Sequence, residues 1–234
     1  DFGGSARVGV KFDTHQDLSL YYARGQQQGG RRYAKLNGGN GNLRSGFDPQ
    51  VLDFFYGRYE RRALGWLDSL AATVSFNRIR DDRQTQSGDP ASAITFDFAR
   101  TDSRGYQVQA TSHVRSRQVL GWGAELFDES VRSRLHRLNP ATAVAGPLER
   151  PRFPNRARYR TVAAYLQDTA DLVPGRWRLT GGGRYSAFRY SDPAGVLMRT
   201  DDLTYYAGSS YFLTPALTLN AIASRGFRAP NIAD

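Results

Sequence analysis

The chain has 234 residues, a formal net charge of +10 at pH 7 and no cysteine. The absence of cysteine excludes a disulfide scaffold, thiol catalysis and thiolate metal sites. The basic charge is compatible with nucleic acid, membrane phosphate or an anionic ligand as a partner. The alternative is that the charge of a fragment differs from that of the whole protein. No apolar run approaches the ~18 residues that a membrane helix needs.

Short segments in which apolar and polar residues alternate occur along the whole chain. This period of two is typical of a strand with one apolar face. It predicts ten strands, near residues 5–12, 18–22, 51–61, 70–77, 106–111, 120–126, 160–172, 177–185, 203–211 and 217–224. The fourth is the clearest, because Leu70, Ala72, Val74 and Phe76 alternate with small or polar residues. Four of these segments, 51–61, 160–172, 177–185 and 203–211, reach the ~9–11 residues that a tilted strand needs to cross a bilayer.

The connections between these segments are alternately short and long. Short turns lie near residues 13, 65, 116, 175 and 215, and longer polar connections are expected over 25–50, 81–102 and 132–158 and from 192. Ile94, Phe96 and Phe98 in the second long connection could extend a strand beyond a bilayer. All the long connections fall on one side. We therefore predict an all-β fold: an antiparallel up-and-down transmembrane β-barrel portion of about ten strands, with short periplasmic turns and long extracellular loops.

The three tryptophans provide an independent indication of the same architecture. Trp66 lies in a short turn, Trp177 follows one closely, and Trp122 comes a few residues after another. Membrane barrels concentrate aromatic residues at the lipid interfaces, so the tryptophans are predicted to mark the periplasmic rim.

The C-terminal third contains three distinctive stretches. They are residues 164–168 with 177–185, residues 211–219, and the sequence Gly-Phe-Arg-Ala-Pro-Asn-Ile at 226–232. In this order and spacing they resemble the TonB-dependent outer-membrane receptors. The resemblance implies a 22-strand barrel with a plugged lumen. It also implies binding of a scarce nutrient, such as a ferric siderophore, haem, cobalamin or a glycan, and import energised by the TonB complex.

The resemblance also sets expectations for domains and partners. Residues 1–234 are expected to form part of the barrel domain, without the N-terminal plug and the C-terminal strands. Expected partners are outer-membrane lipid and lipopolysaccharide, the TonB complex acting through the missing plug, and a metal chelate or similar small nutrient. The expected location is the outer membrane of a Gram-negative-type bacterium, and no cofactor is predicted.

The candidate ligand-binding residues are Arg132, Arg134, His136, Arg137 and Arg228. The first four lie in the predicted loop 132–158, which holds the densest cluster of arginines and the only histidine expected on the extracellular side. Arginine forks can hold an anionic ligand or a lipopolysaccharide phosphate. The alternatives are a solvated loop, a solvated histidine and, for Arg228, a sequence that only shapes the end of a strand before Pro230. A single imidazole is an incomplete metal site, so no metal centre is predicted.

Other functional classes were compared with this interpretation. A passive porin would share the alternation and the loop asymmetry, and it remains the alternative. An enzyme is not expected, because Ser112 and His113 are adjacent on a strand and point to opposite faces, and no pair of carboxylates is placed for acid–base catalysis. Nucleic acid is not expected as a partner, because the aromatic residues are not interleaved with arginines on one exposed platform.

Overall fold

The computed structural model describes residues 1–36, 41–114 and 116–227, and these residues form a single antiparallel sheet. Its strands are β1 (Phe2–Lys11), β2 (Gln16–Gln27), β3 (Gly30–Arg31), β4 (Arg44–Leu64), β5 (Leu67–Gln86), β6 (Ile94–His113), β7 (Gln118–Leu138), β8 (Arg158–Val173), β9 (Trp177–Ser191), β10 (Leu197–Thr214) and β11 (Leu217–Arg225). One short helix, α1 (Tyr33–Leu36), lies between β3 and β4. No helix within this described part is long and apolar enough to cross a membrane.

Each long strand pairs with the next one along the chain, which confirms the predicted up-and-down order. The sheet runs β1-β2-β4-β5-β6-β7-β8-β9-β10-β11, and β3 pairs only with β4. Both Gly65 and Gly175 have a positive φ, of 63° and 69°, in the tight turns β4–β5 and β8–β9. Glycine adopts this backbone conformation without the steric cost that a side chain would add.

The asymmetry between the two ends of the sheet is also confirmed. Connections at one end, the short-turn end, cover residues 12–15, 65–66, 114–117, 174–176 and 215–216. Connections at the other end, the loop end, cover 28–43, 87–93, 139–157 and 192–196. Trp66 lies at the short-turn end, and Trp122 and Trp177 lie within a few residues of it.

The strands near the middle of the sheet are longer than predicted. β4 and β7 have 21 residues each, and β5 and β6 have 20 each. The predicted loop 81–102 is therefore reduced to 87–93, and the predicted loop 132–158 begins only after Leu138. The boundaries were wrong because the extensions of β5 and β7 carry charged side chains on both faces and lack the alternation that marks the lower part of each strand. Ile94, Phe96 and Phe98 do extend a strand, as the sequence suggested.

One face of the sheet carries an apolar band, and we call it the band face. A continuous row of directly opposed residues crosses it from β1 to β10: Val10, Leu18, Tyr59, Ala72, Val108, Ala124, Ala164, Tyr185 and Leu203. Large apolar side chains of this band remain uncovered; Val74 is 48% exposed and Leu203 is 51% exposed. Such a large contiguous apolar surface requires contact with an apolar environment, such as lipid, or with another protein surface.

The opposite face carries polar and charged side chains near the short-turn end. Ion pairs join Arg58 to Glu60, Arg62 to Asp17 and Arg184 to Glu125. Small residues such as Ala71 and Ala163 are buried between the larger side chains of this face. The two faces therefore differ in chemistry, as expected for a sheet with lipid on one side and water on the other.

Candidate functional site

The structure places three of the predicted site residues on a strand. Arg132, Arg134 and His136 lie in β7 and alternate onto the band face, so their assignment to a loop was wrong. Strand β6 positions them, because Phe96 is directly opposite His136 and Phe98 is directly opposite Arg134. β6 and β7 pair along their whole length, so the backbone hydrogen bonds between them continue beyond the apolar band.

His136 is part of an aromatic stack rather than a solvated side chain. Its ring centroid lies 5.2 Å from that of Phe96 and 5.6 Å from that of Phe98. The guanidinium of Arg134 lies 4.6 Å from the centroid of Phe98, which is a cation–π geometry. No cluster of metal-ligating side chains occurs among residues 1–36, 41–114 and 116–227. The stack fixes the imidazole by packing.

Of the remaining two predicted site residues, Arg137 does not join this group. Arg137 alternates to the opposite face of β7, where its guanidinium lies 3.4 Å from the carboxylate of Glu149. Its carbonyl oxygen accepts a 2.7 Å hydrogen bond from the N–H of Gly146. Arg228 lies outside the described residues. The four described members of the predicted set therefore divide between the two faces of β7.

The connection 139–157 folds back along the free edge of β7. Bridges join Leu135 to Glu149 and Leu138 to Ala145. The N–H of Val131 donates to the carbonyl oxygen of Ala157 at 2.9 Å. This connection is thus hydrogen-bonded to the sheet at several points, which limits where its arginines can reach.

Arg152 extends from this connection across the opposite face to β5 and β6. It contacts the carboxylate of Asp81 at 3.1 Å and that of Asp97 at 3.8 Å, and its guanidinium lies 4.6 Å from the ring centroid of Phe153. Arg83 also pairs with Asp81, at 2.9 Å. Burial raises the pKa of Asp97, and the charges of Arg152 and Arg83 oppose that rise. No local pattern in the sequence indicates this charged cluster, because it depends on which residues the strand register brings together.

A second group on the opposite face is aromatic. Tyr21, Phe54 and Tyr56 form a half-buried cluster with ring centroids 5.4 to 6.1 Å apart. β2 and β4 position these rings, because Tyr21 is directly opposite Tyr56 and Phe54 is the next residue of β4 on the same face. Flat aromatic faces of this kind can stack on a conjugated ligand or hold a cation. This cluster and the Arg152 cluster are the candidate functional site, because both lie on the face that lacks the apolar band.

The family of the chain follows from a comparison with family models. A model described as "TonB dependent receptor-like, beta-barrel" matches residues 1–234. The chain belongs to this family. In a barrel of the TonB-dependent receptor type the apolar band is on the outside and the opposite face lines the lumen. The band face is hereafter the outer face, and the opposite face is the lumen face.

Solved structures of transporters share the fold at low sequence identity. The copper transporter OprC matches with a TM-score of 0.79 and 17% identity, over 98% of this chain and 37% of that one. The FrpB iron transporter from Neisseria meningitidis matches with a TM-score of 0.72 and 15% identity, over 97% and 37%. The ferric citrate transporter FecA, in its unliganded form, matches with a TM-score of 0.70 and 16% identity, over 95% and 35%.

These comparisons define the extent of the likeness. The chain spans little more than a third of the length of these three structures. A comparison with curated proteins found no significant match. At these identities the structural likeness concerns the fold, and the family assignment comes from the family model.

Proposed function

We propose that this chain is part of an outer-membrane receptor that binds a small nutrient outside the cell and imports it with energy from the TonB complex. The observation that carries the proposal is the family match over all 234 residues. Residues 1–234 would then be one portion of a larger barrel domain. A plug domain, through which TonB acts, would lie outside these residues.

The substrate we propose is a metal ion or metal chelate. The similar structures are named as copper, iron and ferric citrate transporters, which supports this class without selecting one member. The lumen face contributes the aromatic cluster of Tyr21, Phe54 and Tyr56, which favours a chelate with a flat conjugated part. Arg132, Arg134 and His136 alternate onto the outer face, so they are not part of this nutrient site in the lumen.

The first experiment tests energised transport with the protein expressed from its own gene. Uptake of ferric citrate, a ferric catecholate, haem and cupric ion would be measured in cells with and without a functional TonB complex. We expect one of these probes to be taken up only when TonB is present. Uptake that does not depend on TonB would contradict the proposal and favour the passive porin.

The second experiment tests the lumen site with two adjacent tyrosines. Tyr21 points to the lumen face and Tyr22 to the outer face, so Tyr21→Ala and Tyr22→Ala are matched in size and position. Loss of one stacking partner corresponds to roughly 3- to 10-fold in affinity. We expect that loss for Tyr21→Ala alone. Equal losses for both variants would indicate an effect on folding and would remove the aromatic cluster from the site.

A further inference from the structure

The outer face carries two ladders of arginine side chains in directly opposed positions. In the first ladder, Arg80 of β5 is opposite Arg100 of β6, which is opposite Arg132 of β7. In the second ladder, the opposed residues are Arg160 of β8, Arg189 of β9 and Arg199 of β10. Directly opposed like charges destabilise a sheet, because their Cβ atoms lie only about 5 Å apart.

The carboxylates of the sheet neutralise these ladders incompletely. Arg80 pairs with Asp82 at 2.6 Å, Arg100 pairs with Asp102 at 2.8 Å, and Arg160 pairs with Asp128 at 3.1 Å. Asp102 also pairs with Arg78, and Asp128 also pairs with Arg158. No ion pair to Arg132, Arg189 or Arg199 is found within the described part of the chain. An excess of positive charge therefore remains on the outer face.

The first ladder borders a groove that can hold an anion. Arg80, Arg100, Arg132 and Arg134 line a cavity of about 460 Å³, together with Leu148 and Asn155 of the connection 139–157. The carboxylate of Asp82 also lines this cavity and is paired with Arg80, so the four guanidinium groups outnumber it. Arginine forks bind phosphate oxygens with two parallel hydrogen bonds, and Leu148 adds an apolar wall. The combination of several guanidinium groups and an apolar wall suits the phosphorylated headgroup of a lipid.

The two ladders lie at a similar height above the short turns. Counted from the short-turn ends of their strands, Arg80, Arg100 and Arg160 are about 13 residues away, Arg189 about 12, Arg132 about 14 and Arg199 about 15. At about 3.4 Å per residue and a tilt of about 45°, 13 residues span roughly 31 Å across the membrane. That distance equals the hydrocarbon thickness of about 30 Å. The ladders therefore meet the extracellular headgroup region when the short turns lie at the periplasmic interface.

We propose that the two arginine ladders bind phosphate groups of lipid headgroups in the outer leaflet. The proposal rests on the proposed location in the outer membrane. Lipid phosphates would neutralise the opposed arginines and so remove the repulsion that the ladders otherwise impose. Part of the net charge of +10 thereby acquires a specific location and a partner.

The test compares phosphorylated and dephosphorylated lipid A on the protein expressed from its own gene and purified in detergent. Bound lipid would be counted by native mass spectrometry for the parent and for the double variant Arg132→Gln with Arg189→Gln. We expect the parent to retain diphosphorylated lipid A, and the double variant to bind it roughly tenfold more weakly. Removal of the phosphates should weaken binding to the parent by a similar factor.

Matched controls separate this effect from folding and from free phosphate. Arg137→Gln changes the same strand, β7, on the lumen face and should bind the lipid like the parent. In phosphate-free detergent the double variant should unfold at the same or a higher temperature than the parent, because it has fewer opposed charges.

Two results of the lipid measurements would overturn the proposal. They are equal weakening of lipid binding by Arg137→Gln, and equal retention of dephosphorylated and phosphorylated lipid by the parent. Displacement of the lipid by millimolar inorganic phosphate would also overturn it, in favour of a phosphate ion site. Since lipid binding is read without transport, loss of TonB-dependent uptake would leave these results unchanged.

Discussion

Replacement of Val74 by arginine tests which face of the sheet contacts lipid. Val74 is 48% exposed on the outer face, between Gly57 of β4 and Tyr106 of β6. It lies about seven residues from the short-turn end of β5, which corresponds to roughly 17 Å of a hydrocarbon layer of about 30 Å. Val74 is thus close to the midplane, where an arginine on the lipid face costs about 2–4 kcal/mol. We expect Val74→Arg to lower the ratio of assembled to unassembled protein by roughly 30- to 700-fold.

The neighbouring residue is a matched control. Ser75 points to the lumen face, beside Tyr56 and Gly105, so Ser75→Arg introduces the same charge at the same depth without contact with lipid. The free energy of unfolding would be measured by urea titration of both variants in lipid vesicles. A similar loss for both variants, or no loss for Val74→Arg, would refute the assignment of the two faces.

Two further predictions concern packing and pH. At Gly182 a Cβ atom would lie 2.8 Å from the ring of Tyr206, so Gly182→Ala should lower the free energy of unfolding by about 1–3 kcal/mol. At Gly181 the nearest atom to an added Cβ is a carbonyl oxygen at 3.6 Å. Gly181→Ala should therefore be nearly neutral in the same urea titration. Burial raises the pKa of Asp97. The neutral form of this carboxyl therefore stabilises the folded state below its ordinary pKa of 3.8, and that contribution to stability is lost as the pH rises through the raised pKa. We therefore expect the protection factors of the amides in the connection 139–157, which are exchange rates corrected for their intrinsic pH dependence, to be larger at pH 4 than at pH 7. Asp97→Asn should abolish that difference, and a difference that persists in this variant would exclude Asp97 as its source.

The strands that cross the apolar band could be predicted from the sequence, because lipid imposes a strict alternation there. Leu70, Ala72, Val74 and Phe76 show it without interruption, and β5 contains all four on one face. Above the band both faces of a strand meet water, so the alternation weakens. For this reason the extension of β7 through Arg132–Leu138 looked like a loop in the sequence.

The candidate site was less predictable, because it depends on strand register. Arg132 and His136 were assigned to a loop from the sequence, and the structure places them instead on the outer face of strand β7. The contacts of Arg152 with Asp81 and Asp97 join residues distant in sequence, and no local pattern indicates them. The arginine ladders are likewise visible only once β5 to β10 are aligned.

The row of opposed residues from Val10 to Leu203 has a consequence for how mutational data should be compared. Along it, the distance from the short-turn end rises from about one residue in β1 to about eleven in β10, or a little over one residue per strand. With strands about 4.8 Å apart, this stagger corresponds to an inclination of roughly 40°, within the range of transmembrane barrels. Neighbours in register therefore differ in membrane depth by about 3 Å per strand. Ala72 of β5 and Leu203 of β10 consequently lie at membrane depths roughly 16 Å apart. Substitution scans of this wall should be ordered by depth along the membrane normal, since hydrogen-bonded partners do not share a lipid environment.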